Sequence, residues 1–423
     1  MADQSKTASL PEVGANRGWI VTFAGTGINL ALGVLYAWSV ISRQITKEWG
    51  WNETQAALPY SVAIAMFAFM MVPAGRMQDK LGPRVVATLG GIFCGIGFII
   101  ASLGQSLTGM VLGFGILAGA GIGCGYASAT PPAVKWFPPA KTGLIAGLVV
   151  AGFGLASVYI APLANHLLSA FGIQSTFLIL GIAFLIAVVV LSQLLKNPPA
   201  GYKPAVNPAA AKAGAKAPAA LVDYEWSEML KTPQFILLWI MFVFAAGAGL
   251  MIIGKLAKIV DLQAGIKAGF VFVAMLAVGN AGGRVIAGVL SDKIGRTWTM
   301  FSVFVFQAVL MFVLRGLDTY GTLFVASVLI GFNYGANLSV FPSATKDYFG
   351  LKNFGVNYGF VFTAWGVGGI LGPMLSGWIF DANKNFNTAY LIAAVCLLVA
   401  AGLTFVTRAP QAKAEAKALN KAA

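Results

Sequence analysis

Long apolar runs alternate with short polar connections along the chain, and this pattern predicts the architecture. The apolar runs last about 20 residues, enough for a helix rising 1.5 Å per residue to cross a ~30 Å hydrocarbon core. Outer-membrane strands would instead alternate over about 10 residues. The sequence therefore predicts an all-α integral membrane protein with twelve transmembrane helices, at 19–41, 55–74, 85–104, 108–131, 143–168, 174–195, 234–254, 266–290, 298–314, 320–342, 355–380 and 387–407.

The connection between the sixth and seventh runs differs from the others. It is rich in Pro, Ala and Lys, a composition typical of a linker. The N-terminal segment has no apolar stretch with a cleavage site, so we expect the first run to direct insertion. The predicted organisation is a tail at 1–18, a six-helix domain at 19–195, a linker at 196–233, a second six-helix domain at 234–407 and a tail at 408–423.

Charged residues are scarce and unevenly placed. They make up 10% of the chain, against roughly 25% in soluble proteins. The net charge of +14 would suggest nucleic acid in a soluble protein. If both termini are cytoplasmic, however, 20 Lys and Arg lie on that side and 7 on the other, as the positive-inside rule requires. We expect a multi-pass protein of the cell inner (plasma) membrane with both termini in the cytoplasm, surrounded by the lipid bilayer, and no nucleic-acid partner.

Two connections repeat a short motif. GRMQDKLGPR follows the second run and GVLSDKIGR follows the eighth, so that Asp79 and Asp292 are 213 residues apart. A period of half the chain indicates two homologous halves related by an axis along the membrane normal. For these acids and for Arg84 and Arg296 we expect a structural or gating role, as helix caps or ion pairs that fasten the domains. Ordinary positive-inside loop charge is the alternative.

Arg284 is the charged residue that lies well inside an apolar run. A charge at such a position is by default a functional-site hypothesis. Arginine in a cavity binds a planar carboxylate through two parallel hydrogen bonds, and the lack of a second cation favours a monoanion. The alternative is a side chain that snorkels to the interface. Asn280, four residues earlier on the same face, can donate to the same anion or bridge two helices.

Four aromatic residues lie near the middle of runs one, four, ten and eleven, beside small residues. Buried tyrosine hydroxyls need hydrogen-bond partners, and a substrate oxygen would serve. For each residue alone, core packing is the alternative. We expect the site walls to include Tyr36, Tyr126, Tyr334 and Trp365.

A proton carrier is harder to assign. If the seventh helix extends to Leu262, then Lys255, Lys258 and Asp261 line its outer half, and Asp261 can titrate there. A solvated outer loop is the alternative. His166, the one histidine, is expected to be structural or interfacial.

Enzymatic chemistry is not indicated. Cys94, Cys124 and Cys396 lie inside apolar runs without metal-ligand spacing. The sequence contains no Walker loop or nucleophile triad. We expect no enzyme activity, no cofactor and no metal.

The repeated loops resemble a motif of the major facilitator superfamily. The stretches NRGWIVTFAGTGINLALGVLYAW, WFP, EMLKTPQF, GRVIAGVLSDKIGR and NYGFVFTAWGVGGILGP resemble the oxalate/formate antiporter group and its relatives, the monocarboxylate transporters. This resemblance implies a carboxylate-binding arginine at Arg284, with aromatic contacts at Tyr36, Tyr126 and Tyr334. The chain departs from the pattern at Trp365, where oxalate exchangers carry a lysine.

A second departure is Asn280, because animal monocarboxylate transporters carry an acid one turn before the arginine. These transporters also have a lysine in helix one, which the first run lacks. The predicted function is secondary transport of a small monocarboxylate such as lactate or pyruvate by proton symport and alternating access. A carboxylate antiporter of the oxalate/formate type is the alternative. A transporter-like sensor is disfavoured by the short linker and tail.

Overall fold

The protein is a bundle of long helices, described from a computed structural model. The structure describes residues 15–137, 142–199, 202, 223–350 and 353–407. All regular structure in this part of the chain is helical. Most of the predicted linker, residues 1–14 of the first tail and the predicted tail at 408–423 lie outside the described residues.

The first six helices, α1 to α6, form what we call the N half. A 3-10 turn interrupts α1, a π-helical segment interrupts α4, and Gly172 at φ 75° separates α5 from α6. The bounds are Ala15–Leu32, Gly33–Ala37 and Trp38–Glu48 for α1; Glu53–Leu81 for α2; Pro83–Ser102 for α3; Leu107–Met110, Val111–Ala118 and Gly119–Lys135 for α4; and 142–171 and 173–192 for α5 and α6.

The remaining helices, α7 to α12, form the C half, and a short helix precedes them at Trp226–Met229. Local sequence sets several of their ends. Thr232 accepts a hydrogen bond from the backbone of Phe235 at the start of α7, and Gly265 ends that helix in the left-handed conformation. The bounds are Pro233–Ala264 for α7, Gly269–Ile294 for α8, Arg296–Leu314 for α9, Tyr320–Phe349 for α10, Phe354–Asn383 for α11 and Asn387–Val406 for α12.

Eleven helical stretches among the described residues are long and apolar enough to cross a membrane. One of them, Ile145–Ser192, has 48 residues and contains the break at Gly172. It therefore supplies two crossings of the usual length of ~20 residues. The predicted fold, an all-α membrane protein with twelve spans, is confirmed.

The bundle has two ends, which we name by the chain termini. The proximal end holds the start of α1 and the end of α12. The distal end, on the opposite side, holds the connections α1–α2, α7–α8 and α11–α12. The two halves meet along α2 and α11 and along α5 and α8.

Interleaved glycines hold α8 and α10 close together. Gly279 and Gly283 of α8 lie against backbone atoms of α10, and Gly331 and Gly335 of α10 lie against backbone atoms of α8. A Cβ atom at any of these positions would collide with a carbonyl of the other helix. Close backbone approach through small residues is the usual way to pack helices in lipid. This contact fixes the helix that carries Asn280 and Arg284.

The repeated loop motif fastens helices within the C half. Arg296 lies 2.7 Å from Asp292 and 2.8 Å from Asp347 at the ends of α8, α9 and α10. All three residues belong to one half, so this copy of the motif holds three helices of the C half together. Arg84 is exposed in the N-half copy, and the side chain of Asp79 lies outside the described residues.

Candidate functional site

Arg284 lies on α8 at the boundary between the halves and is 8% exposed. Its Nη1 donates to the carbonyl of Val150 on α5, at 3.1 Å. Its Nε donates to the Oδ1 atom of Asn280, also at 3.1 Å. Gly154 of α5 provides the space, because a Cβ there would lie 3.4 Å from the guanidinium Nε. The side chain thus reaches across to the N half rather than toward the proximal surface.

The hydrogen-bond acceptors around Arg284 are neutral. One is an amide oxygen and the other a backbone carbonyl. Every ion pair among the described residues involves other basic side chains, so no described carboxylate neutralises this guanidinium. A buried cation without a counter-ion is costly unless an anion joins it.

Asn280 is fixed in orientation by its bond to Arg284. Since its Oδ1 accepts from the arginine, its Nδ2 must point the other way. This Nδ2 is buried near the Tyr36 hydroxyl but makes no hydrogen bond of good geometry with a described residue. The amide therefore offers a donor to the space beside the guanidinium.

Next to this space, hydrogen bonds link three aromatic side chains in a row from one half to the other. The indole nitrogen of Trp365 on α11 donates to the hydroxyl of Tyr334 on α10, at 2.8 Å. The Tyr334 hydroxyl in turn lies 3.1 Å from the hydroxyl of Tyr36 on α1. All three side chains are buried, and Gly249 of α7 makes room for the Tyr334 ring. The 3-10 turn Gly33–Ala37 sets the direction of Tyr36, and such turns inside helices often mark functional positions.

Tyr126 completes the wall on the N-half side. Its ring packs edge-on against Phe67 and Phe153, at centroid distances of 5.2 and 5.3 Å. Phe67 also packs on Trp365, at 5.1 Å. The hydroxyls of Tyr36 and Tyr126 lie beside the Arg284 guanidinium. The structure therefore brings together the six residues expected at the site: Tyr36, Tyr126, Asn280, Arg284, Tyr334 and Trp365.

Sequence reasoning missed the phenylalanines of this wall. With 30 phenylalanines in the chain, a single one carries little signal. For Phe153 the sequence contains a signal, since this residue stands between two glycines in GFG. One of these glycines, Gly154, leaves the space that the Arg284 side chain occupies. Phe67 had no comparable cue.

The residues expected near a proton path lie elsewhere, at the distal end. Lys255 is 2% exposed, and its Nζ lies 2.6 Å from the carboxylate of Glu53 and donates to the Glu53 carbonyl at 2.9 Å. Lys258 lies 3.7 Å from the same carboxylate. Lys255 follows Gly249 by six residues, about 9 Å along α7. The pair is therefore separate from the Arg284 site.

Asp261 also belongs to this distal cluster. The helix α7 extends to Ala264 and so includes Asp261, as was expected if this helix reached Leu262. The Asp261 carboxylate lies 2.7 Å from Arg43 of the N half and 2.7 Å from Lys267. Asp261 thus joins the two halves in an ion-pair network and does not face Arg284. His166 is exposed near the same end and takes no part in either cluster.

Asp381 of α11 adds a helix cap between the halves. Its carboxylate accepts hydrogen bonds from the backbone nitrogens of Glu53 and Thr54, at 2.9 and 3.0 Å, and from the Thr54 hydroxyl. These nitrogens start α2, where a carboxylate is favoured by the unpaired N–H groups and the helix dipole. We call the inter-half contacts the distal clasp, formed by Arg43, Glu53 and Thr54 of the N half and Lys255, Lys258, Asp261 and Asp381 of the C half.

Comparison with known proteins places this architecture in a family. The model of the Major Facilitator Superfamily matches residues 19–283 and 259–422, which covers nearly the whole chain. The chain belongs to the major facilitator superfamily. As a member of it, the protein is a multi-pass membrane transporter.

Curated relatives within the superfamily match most of the chain. The uncharacterized MFS-type transporter YhjX of Escherichia coli K12 is 30% identical, with 83% of this chain and 86% of the relative covered. The oxalate:formate antiporter of Oxalobacter formigenes is 29% identical, with 92% and 91% covered. Human monocarboxylate transporter 11 is 24% identical, with 90% and 81% covered. The resemblance seen in the sequence is confirmed by these matches.

A solved structure shares the major facilitator fold. It is a bacterial homologue of the human lysosomal transporter Spinster, in an inward-facing and unoccupied conformation. The TM-score is 0.67 at 17% identity, with 92% of this chain and 97% of that chain covered. This likeness supports the arrangement of the helices.

Proposed function

We propose that the protein transports a small monocarboxylate anion, of the lactate or pyruvate class, and that Arg284 is its receptor. The observation that carries the proposal is that this guanidinium is buried without a described counter-ion. It is buried between the halves, it is bonded to two neutral acceptors, and no described acid pairs with it. A carboxylate that enters the site supplies the missing charge through charge-assisted hydrogen bonds.

The charge balance favours one negative charge on the substrate. Lys255 is a second buried cation, but Glu53 neutralises it at 2.6 Å. The other residues around Arg284 are neutral amides, phenols, an indole and phenyl rings. Trp365 stands where the resemblance to oxalate exchangers implies a lysine. A dianion would therefore place its second charge among apolar rings, which is costly.

For the direction of transport we assign the proximal end to the cytoplasm. With both termini in the cytoplasm, 20 Lys and Arg lie on the cytoplasmic side and 7 on the other side, which supports this orientation. The substrate reaches Arg284 from the distal side when the halves separate there, and from the proximal side when the distal clasp is closed. The clasp must then break and re-form in each cycle.

Proton symport is the coupling we propose, with Asp261 as the carrier and Lys255 and Lys258 as its neighbours. Distal opening separates Asp261 from Arg43 of the other half, which is its partner at 2.7 Å when the clasp is closed. A carboxylate that has lost a cationic partner binds a proton more readily. Carboxylate exchange is the second candidate, favoured by the pairing of both Glu53 and Asp261 with basic side chains.

Uptake by proteoliposomes tests the receptor and the coupling together. The probe is radiolabelled L-lactate, with and without an imposed pH gradient or internal unlabelled lactate. Arg284→Gln is expected to abolish uptake, and Arg284→Lys to reduce it at least tenfold, because lysine does not reproduce the planar two-donor geometry. Arg315→Gln is the matched control, since Arg315 is exposed beyond the end of α9.

Each result has a definite meaning. Normal lactate uptake by Arg284→Gln overturns the proposal. Uptake driven by an inside-alkaline gradient into empty vesicles supports symport. Uptake that requires internal carboxylate and ignores the gradient establishes exchange instead.

A further inference from the structure

The hydrogen bonds around Trp365, Tyr334 and Tyr36 have a direction that their donors impose. An indole N–H donates and never accepts. The bond from Trp365 to Tyr334 at 2.8 Å therefore occupies an acceptor site of the Tyr334 oxygen and leaves its proton free. The Tyr334 hydroxyl has one other described partner, the Tyr36 hydroxyl at 3.1 Å.

Either tyrosine can donate in the bond between the two hydroxyls, and each choice leaves one buried proton without a described acceptor. If Tyr36 donated to Tyr334, the Tyr334 proton would be buried without an acceptor among the described residues. A buried donor without a partner costs free energy. If Tyr334 donates to Tyr36, the proton left over is that of Tyr36, and a substrate carboxylate bound beside Arg284 can accept it. That proton then lies beside Asn280 Nδ2 and the Arg284 guanidinium.

Resting on the proposed function, we infer that Trp365 and Tyr334 are positioning residues that aim the Tyr36 hydroxyl proton at the substrate carboxylate. Three donors then surround one space: the Tyr36 hydroxyl, Asn280 Nδ2 and Arg284 Nη2, and neither of the two nitrogens makes a hydrogen bond of good geometry to a described residue. A site made of donors binds an ionised carboxylate, which only accepts. It disfavours the protonated acid, whose own hydroxyl proton would face other donors.

Trp365 then has a different role from the one expected of it. The sequence placed it among the substrate contacts, as a wall of the site. Here its ring packs on Phe67 and Phe362, and its nitrogen acts through Tyr334. In Trp365→Phe the ring packing is largely kept and the donor is lost. The Tyr334 oxygen is then free to accept from Tyr36, which takes the Tyr36 proton away from the substrate.

A double-mutant cycle measures this indirect action, with L-lactate uptake in proteoliposomes as the readout. Tyr36→Phe is expected to raise KM roughly tenfold or more, as for the loss of a hydrogen bond to a charged group. Trp365→Phe is expected to raise KM roughly threefold to tenfold, with Vmax within about twofold of the parent. In the Tyr36→Phe background, Trp365→Phe is expected to have no further effect, since no Tyr36 proton remains to be aimed.

Trp239→Phe is the matched control. The Trp239 nitrogen donates to the Thr363 hydroxyl at 3.0 Å, also between two helices of the C half. This bond lies outside the donor set, so its loss should leave KM unchanged. Melting temperatures of all variants, measured in detergent, report whether each protein folds.

The outcomes separate this inference from the proposed function. If Trp365→Phe raises KM equally in the parent and in Tyr36→Phe, Trp365 acts on the substrate or the packing directly and the inference is wrong. If Arg284→Gln transports lactate normally, the proposed function itself fails. Loss of transport in Arg284→Gln together with a vanishing Trp365 effect in Tyr36→Phe supports both.

Discussion

Glu53→Gln tests whether the distal clasp holds the halves together. The Glu53 and Lys255 side chains are 5% and 2% exposed, and their charged atoms are 2.6 Å apart across the boundary. Removing one partner of a buried ion pair costs about 3–5 kcal/mol, because the remaining charge stays buried. This cost destabilises only the closed arrangement, in which the halves meet at the distal end. When they separate there, water reaches Lys255 and the cost disappears. A change of about 3 kcal/mol shifts the equilibrium toward the open arrangement by roughly 100-fold.

A cysteine beneath the clasp reports the opening. Ser61 of α2 is 1% exposed and lies one turn before Ile64 and two turns before Ala68, which lie against Gly369 and Gly366 of α11. In a background with the three native cysteines replaced by alanine, Ser61→Cys should react slowly with a membrane-impermeant maleimide added to the distal side. Glu53→Gln should raise that rate by one to two orders of magnitude.

Two further variants decide the interpretation. Glu48→Gln changes an exposed acid at the same end and should leave the labelling rate unchanged. Glu53→Gln with Lys255→Met removes both charges, and replacing a whole buried pair by uncharged groups is often neutral. This double variant should restore slow labelling. Labelling of Glu53→Gln at the parental rate would refute the reasoning, because the pair would then add nothing to closure.

Two other predictions concern packing and long-range charge. Gly283→Ala should lower the melting temperature, since its Cβ would meet the Phe332 carbonyl and overpacking costs about 1–3 kcal/mol; Gly282→Ala, with open space around its Cβ, is the control. At the distal mouth, a cavity of about 510 Å³ is lined by more basic than acidic residues, including the exposed Lys47 and Lys384. Lys47→Gln with Lys384→Asn should raise KM for lactate from that side about twofold to threefold at low ionic strength, but not at high salt. A change in KM that does not depend on salt would contradict electrostatic steering of lactate by these two lysines.

The fold and the central cation were predictable because each leaves a local signal. A run of apolar residues defines a span regardless of what surrounds it, and a single arginine inside such a run is conspicuous. Arg284 is such a residue, and the structure buries it at the boundary between the halves. The tyrosines could be singled out as candidates for a related reason, since they interrupt stretches of small residues.

The distal clasp was not predictable in the same way. Glu53 is the first residue of α2 and Arg43 lies in the last two turns of α1, where charge is ordinary, and their partners are more than 200 residues away. Nothing in the local sequence distinguishes a solvated acid from one that meets a lysine of the other half. Asp261 illustrates the difficulty, because its position on α7 was anticipated while its partner Arg43 was not.

The clasp and the donor set are linked by the helices that carry them. α2 carries Glu53 at its distal end and Phe67 at the site, while α7 carries Lys255 in the clasp and Gly249 against Tyr334. The bond between Tyr36 and Tyr334 itself joins the halves. Separation of the halves at the distal end therefore breaks the chain that aims the Tyr36 proton. In the transport cycle that we propose, the full donor set exists only when the halves are closed around it, and a bound carboxylate then stabilises the closed arrangement over the open one. Under this proposal, substrate binding favours the closure that transport requires.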